Sequence, residues 1–303
     1  MAQFLSRRAL LPLVAASLLT RPARAQARPL VVASFSILGD MVRQVGGPDL
    51  PLRVLAGPGT DPHLFQPRPS EAEAIRGAGL VVRNGLGLEP WLDRLVRATR
   101  YAGPVVTTTE GITPRRAAPA AGHSHGPEAP DPHAWQDVRL ARSYVRAIAA
   151  GLRAADPARA EATSAAEAAY LGRLDVLDAW VREQVARVPA ERRVVVTSHG
   201  SFGYFAAAYG VRMLAPQGIS PEAQPSAGQV AALIRQIRAE RITAVFLEGQ
   251  GSQAVLERLA ADAGVRPGGR LYADSLSPPD GPAATYEAMV RHNVGLMMPA
   301  MLG

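Results

Sequence analysis

Four apolar, β-branched runs in the first half of the chain, LVVASF (30–35), LRVLAG (52–57), LVVRNG (80–85) and VVTTTE (105–110), alternate with ILGDMVRQVG, EAEAIRGA and WLDRLVRATR, whose apolar residues recur with a helical period. Short strands interleaved with helices fold as a parallel sheet covered by those helices, because a parallel connection has to cross over one face of the sheet. The second half repeats the alternation with RVVVTS (193–198), VRMLAP (211–216), TAVFLEG (243–249) and GRLYADS (269–275). The expected fold class is α/β, with two parallel-sheet lobes, residues 28–154 and 192–303.

The segment joining the lobes, 156–188, constrains their arrangement. Asp156-Pro157 is a helix start, with proline fixing φ at the first turn, and the next proline is Pro189. Between them Tyr170, Leu174, Leu177, Val181, Val185 and Val188 recur at steps of three and four, forming a single apolar stripe. One stripe among many alanines fits a helix laid across both lobes better than a coiled coil. At about 30 residues it is roughly 45 Å long, a rigid spine expected to limit hinging. Residues 111–130, GITPRRAAPAAGHSHGPEAP, lack periodicity and read as a mobile loop.

Composition excludes several classes of function. The chain has 303 residues, 48% of them hydrophobic, enough for a substantial core. Residues 1–25, MAQFLSRRALLPLVAASLLTRPARA, combine Arg7 and Arg8, a short apolar run and a closing Ala-Arg-Ala, the pattern of a cleaved signal peptide; SRRAL suggests the twin-arginine route. The apolar run from Ala9 to Leu19 is shorter than the roughly 20 residues that a membrane span requires. Export to the periplasm as a soluble protein is expected, and with no cysteine anywhere, neither a lipid anchor nor a disulfide. The formal charge of +7 less the four arginines of residues 1–25 leaves +3. The remaining arginines are scattered among acids without a basic block, so the footprint of a nucleic-acid binder is missing.

The chemistry concentrates in two similar stretches, DPHLFQ (61–66) and DPHAWQ (131–136). Their flanks are unrelated, so two separate loops carry one task. The residue before proline is biased toward extended backbone and proline fixes its own φ, which makes each triplet a stiff arm aiming His63 or His133. Phe65 or Trp135 can supply an apolar wall. A third histidine, His199, follows a strand directly in VVVTSHGSFGYFA; Ser198 and Ser201 lie close to it, but the pattern is not the Gly-x-Ser-x-Gly of a nucleophile elbow. Asp274 in RLYADSLS ends the last strand and reads equally as a turn or cap residue and as a ligand. Three imidazoles and one carboxylate make a four-coordinate set suited to Zn²⁺. A fourth protein ligand leaves no position for water, which argues against a zinc hydrolase.

The runs GTDPHLFQPRPSE, NGLGLEPWL, DPHAWQD, TSHGSFGYFA, FLEGQ and YADSLS, in that order, resemble the metal-binding solute-binding proteins of bacterial ABC importers, the cluster A-I or cluster 9 group. The resemblance covers nearly the whole of the chain after residue 25. It implies two α/β lobes joined by one long helix, with the metal in the cleft between them. It also implies His63, His133, His199 and Asp274 as the metal ligands. Zinc-type members have His at the third position, as here, where manganese-type members have Glu; this makes Zn²⁺ the expected cargo and Mn²⁺ the less favoured one. Unlike many zinc members, the loop offers only His123 and His125, and some zinc members have water in place of Asp274, which brings this chain nearer to AztC-like proteins. The implied function is capture of Zn²⁺ in the periplasm by a monomer, and delivery to an inner-membrane permease driven by a cytoplasmic ATPase, with a periplasmic metallochaperone as a candidate supplier. An adhesin role, attributed to some relatives, is the rival from another class. Glu248 is expected to orient a ligand histidine, with Asp61, Asp131, Ser198 and Ser275 as equal candidates. His292 is expected at the surface or in packing.

Overall fold

The computed structural model describes residues 27–116, 129–216, 226–248 and 253–303. Residues 1–25, expected to be a signal peptide, and the loop residues His123 and His125 lie outside the described residues.

The first lobe alternates as expected: β1 (Val31–Phe35), α1 (Ser36–Gly46), β2 (Leu52–Ala56), α2 (Pro69–Arg76), β3 (Leu80–Arg83), α3 (Pro90–Thr99) and β4 (Val105–Thr107). Its sheet runs β2-β1-β3-β4, with Val31 opposite Leu52 on one side and Leu80 on the other, all parallel. All five residues of β1 are buried, the continuous apolar run expected of a central parallel strand covered on both faces.

Two helices then follow. α4 (Val138–Ala155) is capped by Asp137, whose side chain accepts from Arg139 N–H. The spine, α5, spans Ala160–Ala186, 27 residues and about 40 Å. It is shorter than the expected 156–188, because the chain after Pro157 first makes a tighter 3₁₀ turn (Pro157–Arg159) before the α-helix begins. The predicted stripe is the buried face: Tyr170, Leu174, Leu177, Val181 and Val185 face inward while Val176 is exposed. α5 packs on α1 and α4 of the first lobe and bridges to the second.

The second lobe continues with β5 (Val194–Val196), α6 (Gly203–Tyr209), β6 (Arg212–Leu214), α7 (Ala227–Glu240), β7 (Leu247–Glu248), α8 (Gln253–Ala263), β8 (Arg270–Leu271) and α9 (Tyr286–Leu302). α5 meets it through α6 and α9. The pairs β5-β6 and β7-β8 are parallel. A parallel bridge between Val196 and Val245 joins them. The run 243–249 is thus divided: Ala244 O and Phe246 N–H bond Val196 on one side, and Leu247 N–H bonds Gly269 O on the other. One apolar core passes from Val31 and Phe35 through Leu174 and Leu177 to Phe202, Tyr286 and Met289, so the spine is shared by both lobes.

Candidate metal centre

Each of the four residues expected to carry the chemistry lies beyond the C-terminal end of a parallel strand, where open α/β sheets place their ligand loops. His63 is in the β2–α2 connection, His133 just before α4, His199 between β5 and α6, and Asp274 after β8. The two similar stretches take one local conformation. In each, the aspartate Oδ1 accepts the backbone N–H of the histidine two residues on, at 2.8 Å for Asp61 and His63 and 3.0 Å for Asp131 and His133. This side-chain turn closes a three-residue arm and turns its histidine inward.

The arms meet. His63 Nε2 and His133 Nε2 are 3.2 Å apart. Asp274 Oδ2 is 3.0 Å from His199 Nε2 and 3.9 Å from His63 Nε2, and Oδ1 is 3.4 Å from His133 Nε2. One ligand atom from each of the four lies within 4.8 Å of the others. A tetrahedral ion with bonds of roughly 2.1 Å needs ligand atoms about 3.4 Å apart; the four separations of 3.0–3.9 Å bracket that value, and any pair nearer 4.8 Å would have to draw in.

The chemistry of the donors fits a cation as well. A carboxylate can only accept, so Asp131 Oδ1, 2.7 Å from His133 Nδ1, holds the ring proton there and leaves the Nε2 lone pair facing the centre. Glu248 Oε2 lies 3.0 Å from His199 Nδ1 and does the same. Glu248 is itself fixed by the backbone N–H groups of Ser198 and His199 and by Ser201 Oγ, at 2.6, 3.1 and 2.7 Å. His199 Nε2 and Asp274 Oδ1 are buried and make no well-formed hydrogen bond, although Asp274 Oδ2 lies 3.0 Å from His199 Nε2. Buried polar atoms left without a formed hydrogen bond, close to other donor atoms, suit a ligand bound among them.

The electrostatics are uneven. Burial pushes the His63 imidazole down to about 3, against the opposing pull of Asp274. Burial acts the same way on His199, but the negative charges of Glu248 and Asp274 outweigh it and hold that ring well above its ordinary value. Burial raises Asp274, yet the imidazoles, His199 first, overcome it and keep the carboxyl below the usual carboxylate range. Asp61 is pushed up to about 6 by burial and by the charge of Asp274.

Of the equal candidates for orienting a histidine, the geometry ranks Asp131 and Glu248 first. Asp61 reaches backbone N–H groups, those of His63 and Leu64, rather than an imidazole, and Ser198 Oγ accepts from Glu248 N–H. His292 is remote from the centre, bonded to Arg270 O at 2.9 Å and edge-on to Tyr272, a packing role as expected.

The region carrying these four residues matches, over residues 31–298, the family described as ZnuA, zinc-uptake complex component A periplasmic. The chain belongs to the ZnuA family. It is 33% identical over 288 residues to the zinc-binding protein TroA of Treponema pallidum, covering 93% of this chain and 92% of that one. It is also 33% identical to the manganese-binding lipoprotein MntA of Halalkalibacterium halodurans (87% and 85% covered) and to the iron-binding protein YfeA of Yersinia pestis (96% and 94%). The solved structure of periplasmic zinc binding protein TroA superposes with a TM-score of 0.83, covering 91% of this chain and 99% of that one at 33% identity. The Mn-bound periplasmic metal binding protein of Candidatus Liberibacter asiaticus does so with 0.80, covering 90% and 100% at 28% identity. This ZnuA-family chain is a metal-binding solute-binding protein of an ABC importer, not an enzyme. Its partners are therefore a membrane permease and its ATPase. Among the described residues no helix is long and apolar enough to cross a membrane. Equal identity to relatives named for zinc, manganese and iron makes a divalent metal the class of cargo and does not single out zinc.

Proposed function

We propose that His63, His133, His199 and Asp274 together bind one Zn²⁺ in the periplasm and release it to the permease. The observation that carries this reading is the convergence of three imidazole nitrogens and one carboxylate oxygen within 4.8 Å, two of the donor atoms being buried and unpartnered. Nitrogen-rich four-coordinate sites favour zinc, whereas manganese prefers more oxygen donors. In this reading the protein acts as a monomer without a lipid anchor, and a periplasmic metallochaperone is a candidate source of its zinc. Metal analysis of protein purified without added metal tests the reading. One zinc per chain is expected, lost in His63→Ala and His199→Ala; a chain that binds no zinc, or binds it equally in both variants, overturns the assignment.

Manganese is the second reading, favoured by the identity to a manganese-binding relative and the likeness to a Mn-bound structure. Competition between Zn²⁺ and Mn²⁺ for the purified protein separates the two.

A further inference from the structure

The two histidine arms are held by one and the same connection. Trp91 Nε1–H donates to Pro62 O at 2.7 Å, and Asn84 Nδ2–H donates to Pro132 O at 2.9 Å; both bonds are buried. Pro62 and Pro132 immediately precede the two histidines, so each accepting carbonyl shares a peptide plane with the histidine N–H that its own aspartate holds. Each plane is thereby pinned on both sides. Since the peptide unit is flat, fixing both its C=O and its N–H fixes the direction from which the histidine side chain departs.

The connection is itself immobilised. The Glu89 carboxylate is buried and accepts from Ser34 Oγ of β1 at 2.7 Å and from the backbone N–H groups of Asn84 and Gly85 at 2.7 and 3.2 Å. Tyr144 O–H donates to Asn84 Oδ1 at 2.6 Å, which leaves the amide NH₂ to face Pro132 O. The backbone from 85 to 87 runs through three successive positive φ values, 92°, 54° and 80°. Gly85 is required there: a Cβ would come within 2.5 Å of Thr107 Cγ2. A strained stretch persists only when its surroundings over-determine it, and here the Glu89 carboxylate does so.

We propose that residues 84–91 form a single brace that sets the spacing of the two arms, with Trp91 and Asn84 as positioning residues for metal binding. This rests on the proposed metal reading. In each copy the carbonyl just before the histidine is the atom that meets this common support. It holds His63 Nε2 and His133 Nε2 at 3.2 Å, and preorganisation to about 0.5 Å is what separates a functional constellation from a loose one.

The test uses Co²⁺ as a coloured probe on the full chain. Trp91→Phe removes the indole N–H and keeps an aromatic ring against Phe65, whose centroid lies 4.8 Å from that of Trp91. Asn84→Asp replaces the donor to Pro132 O with an acceptor. Both variants are expected to bind one Co²⁺ with a changed visible band pattern and to lose it to excess chelator about fivefold faster or more, the scale of one hydrogen bond. Leu92→Ala, a buried packing change in the same helix, is expected to lower the melting temperature while leaving the bands unchanged. If Asn84→Asp does not fold, Tyr144→Phe, which frees the Asn84 amide to turn, takes its place. Wild-type bands and release rate in Trp91→Phe and in the Asn84 or Tyr144 variant overturn the brace alone; a wild type that binds no Co²⁺ overturns the metal reading beneath it.

Discussion

Glu248 holds His199 twice: Oε2 lies 3.0 Å from the ring Nδ1, and Oε1 accepts the backbone N–H of the same residue at 3.1 Å. One buried carboxylate thus fixes both the tautomer of the ring and the place from which it projects. Replacing it by Gln in Glu248→Gln keeps the size and removes the charge. Zinc affinity is expected to fall about 10- to 100-fold, the usual effect of losing a carboxylate behind a ligand histidine. Chelator competition on a correctly folded variant reads this directly; an unchanged affinity removes Glu248 from the site.

The uneven imidazoles make a prediction about protons. His199 is held above its ordinary value, so below that raised value it carries a proton that the metal must displace. His63, lowered to about 3, releases none above about pH 4. Zinc affinity should therefore rise with pH through the neutral range, with one proton released by His199. For the metal-free fold the signs oppose: the contribution of His199 is present below about 6.5 and lost as pH rises through its raised value, while that of His63 is full above about 6.5 and lost as pH falls toward 3. Calorimetry of zinc binding in buffers of different ionisation enthalpy counts the protons, and Glu248→Gln should release fewer at neutral pH.

Metal preference depends on the donor at position 199. His199→Glu exchanges a nitrogen for oxygens, and the Mn²⁺ to Zn²⁺ affinity ratio is expected to rise by about tenfold or more, since carboxylates suit the harder ion. An unchanged ranking of the two metals in competition would count against a zinc site built on this imidazole.

Asp274 sits among all three imidazoles, and its removal leaves their Nε2 atoms without the opposing charge. Asp274→Ala is expected to weaken zinc binding by at least about 100-fold, more than the loss of an outer partner. It opens one coordination position to water, yet esters and phosphates should still not be hydrolysed.

The spine offers a stability test in one helix. Leu174 is fully buried and Val176, half a turn away, is 64% exposed. Leu174→Ala should cost about 2–5 kcal/mol and Val176→Ala less than about 0.5 kcal/mol in denaturant unfolding of the metal-free protein.

Much of this was legible in the residues themselves. The βα alternation, the stripe on α5 and the two stiff arms are repeating local patterns, and local patterns are set by backbone sterics and by which side of an element is apolar. Asp274 shows where that reading stops. As a sequence feature it was balanced between turn, cap and ligand; in the fold α9 begins at Tyr286 with Thr285 as its cap, and Asp274 faces the imidazoles instead. Of the strand expected over 243–249, β7 keeps only Leu247–Glu248 beside β8, while Ala244 and Phe246 bond Val196 of β5, a division that its own composition does not encode.

The sequence by itself therefore determined the element types, the spine and the residue types of the donors. The tertiary structure alone decided that His63 and His133, 70 positions apart, come to 3.2 Å, that Asp131 and Glu248 rather than Asp61 or Ser198 sit behind the rings of His133 and His199, and that Trp91 and Asn84 each bond the proline carbonyl of one arm. The reason is physical: helix and strand preferences act over a few neighbouring residues and repeat along the chain. The meeting of donor atoms from four connections depends on how two sheets and a shared core pack around one helix, and no local periodicity records it.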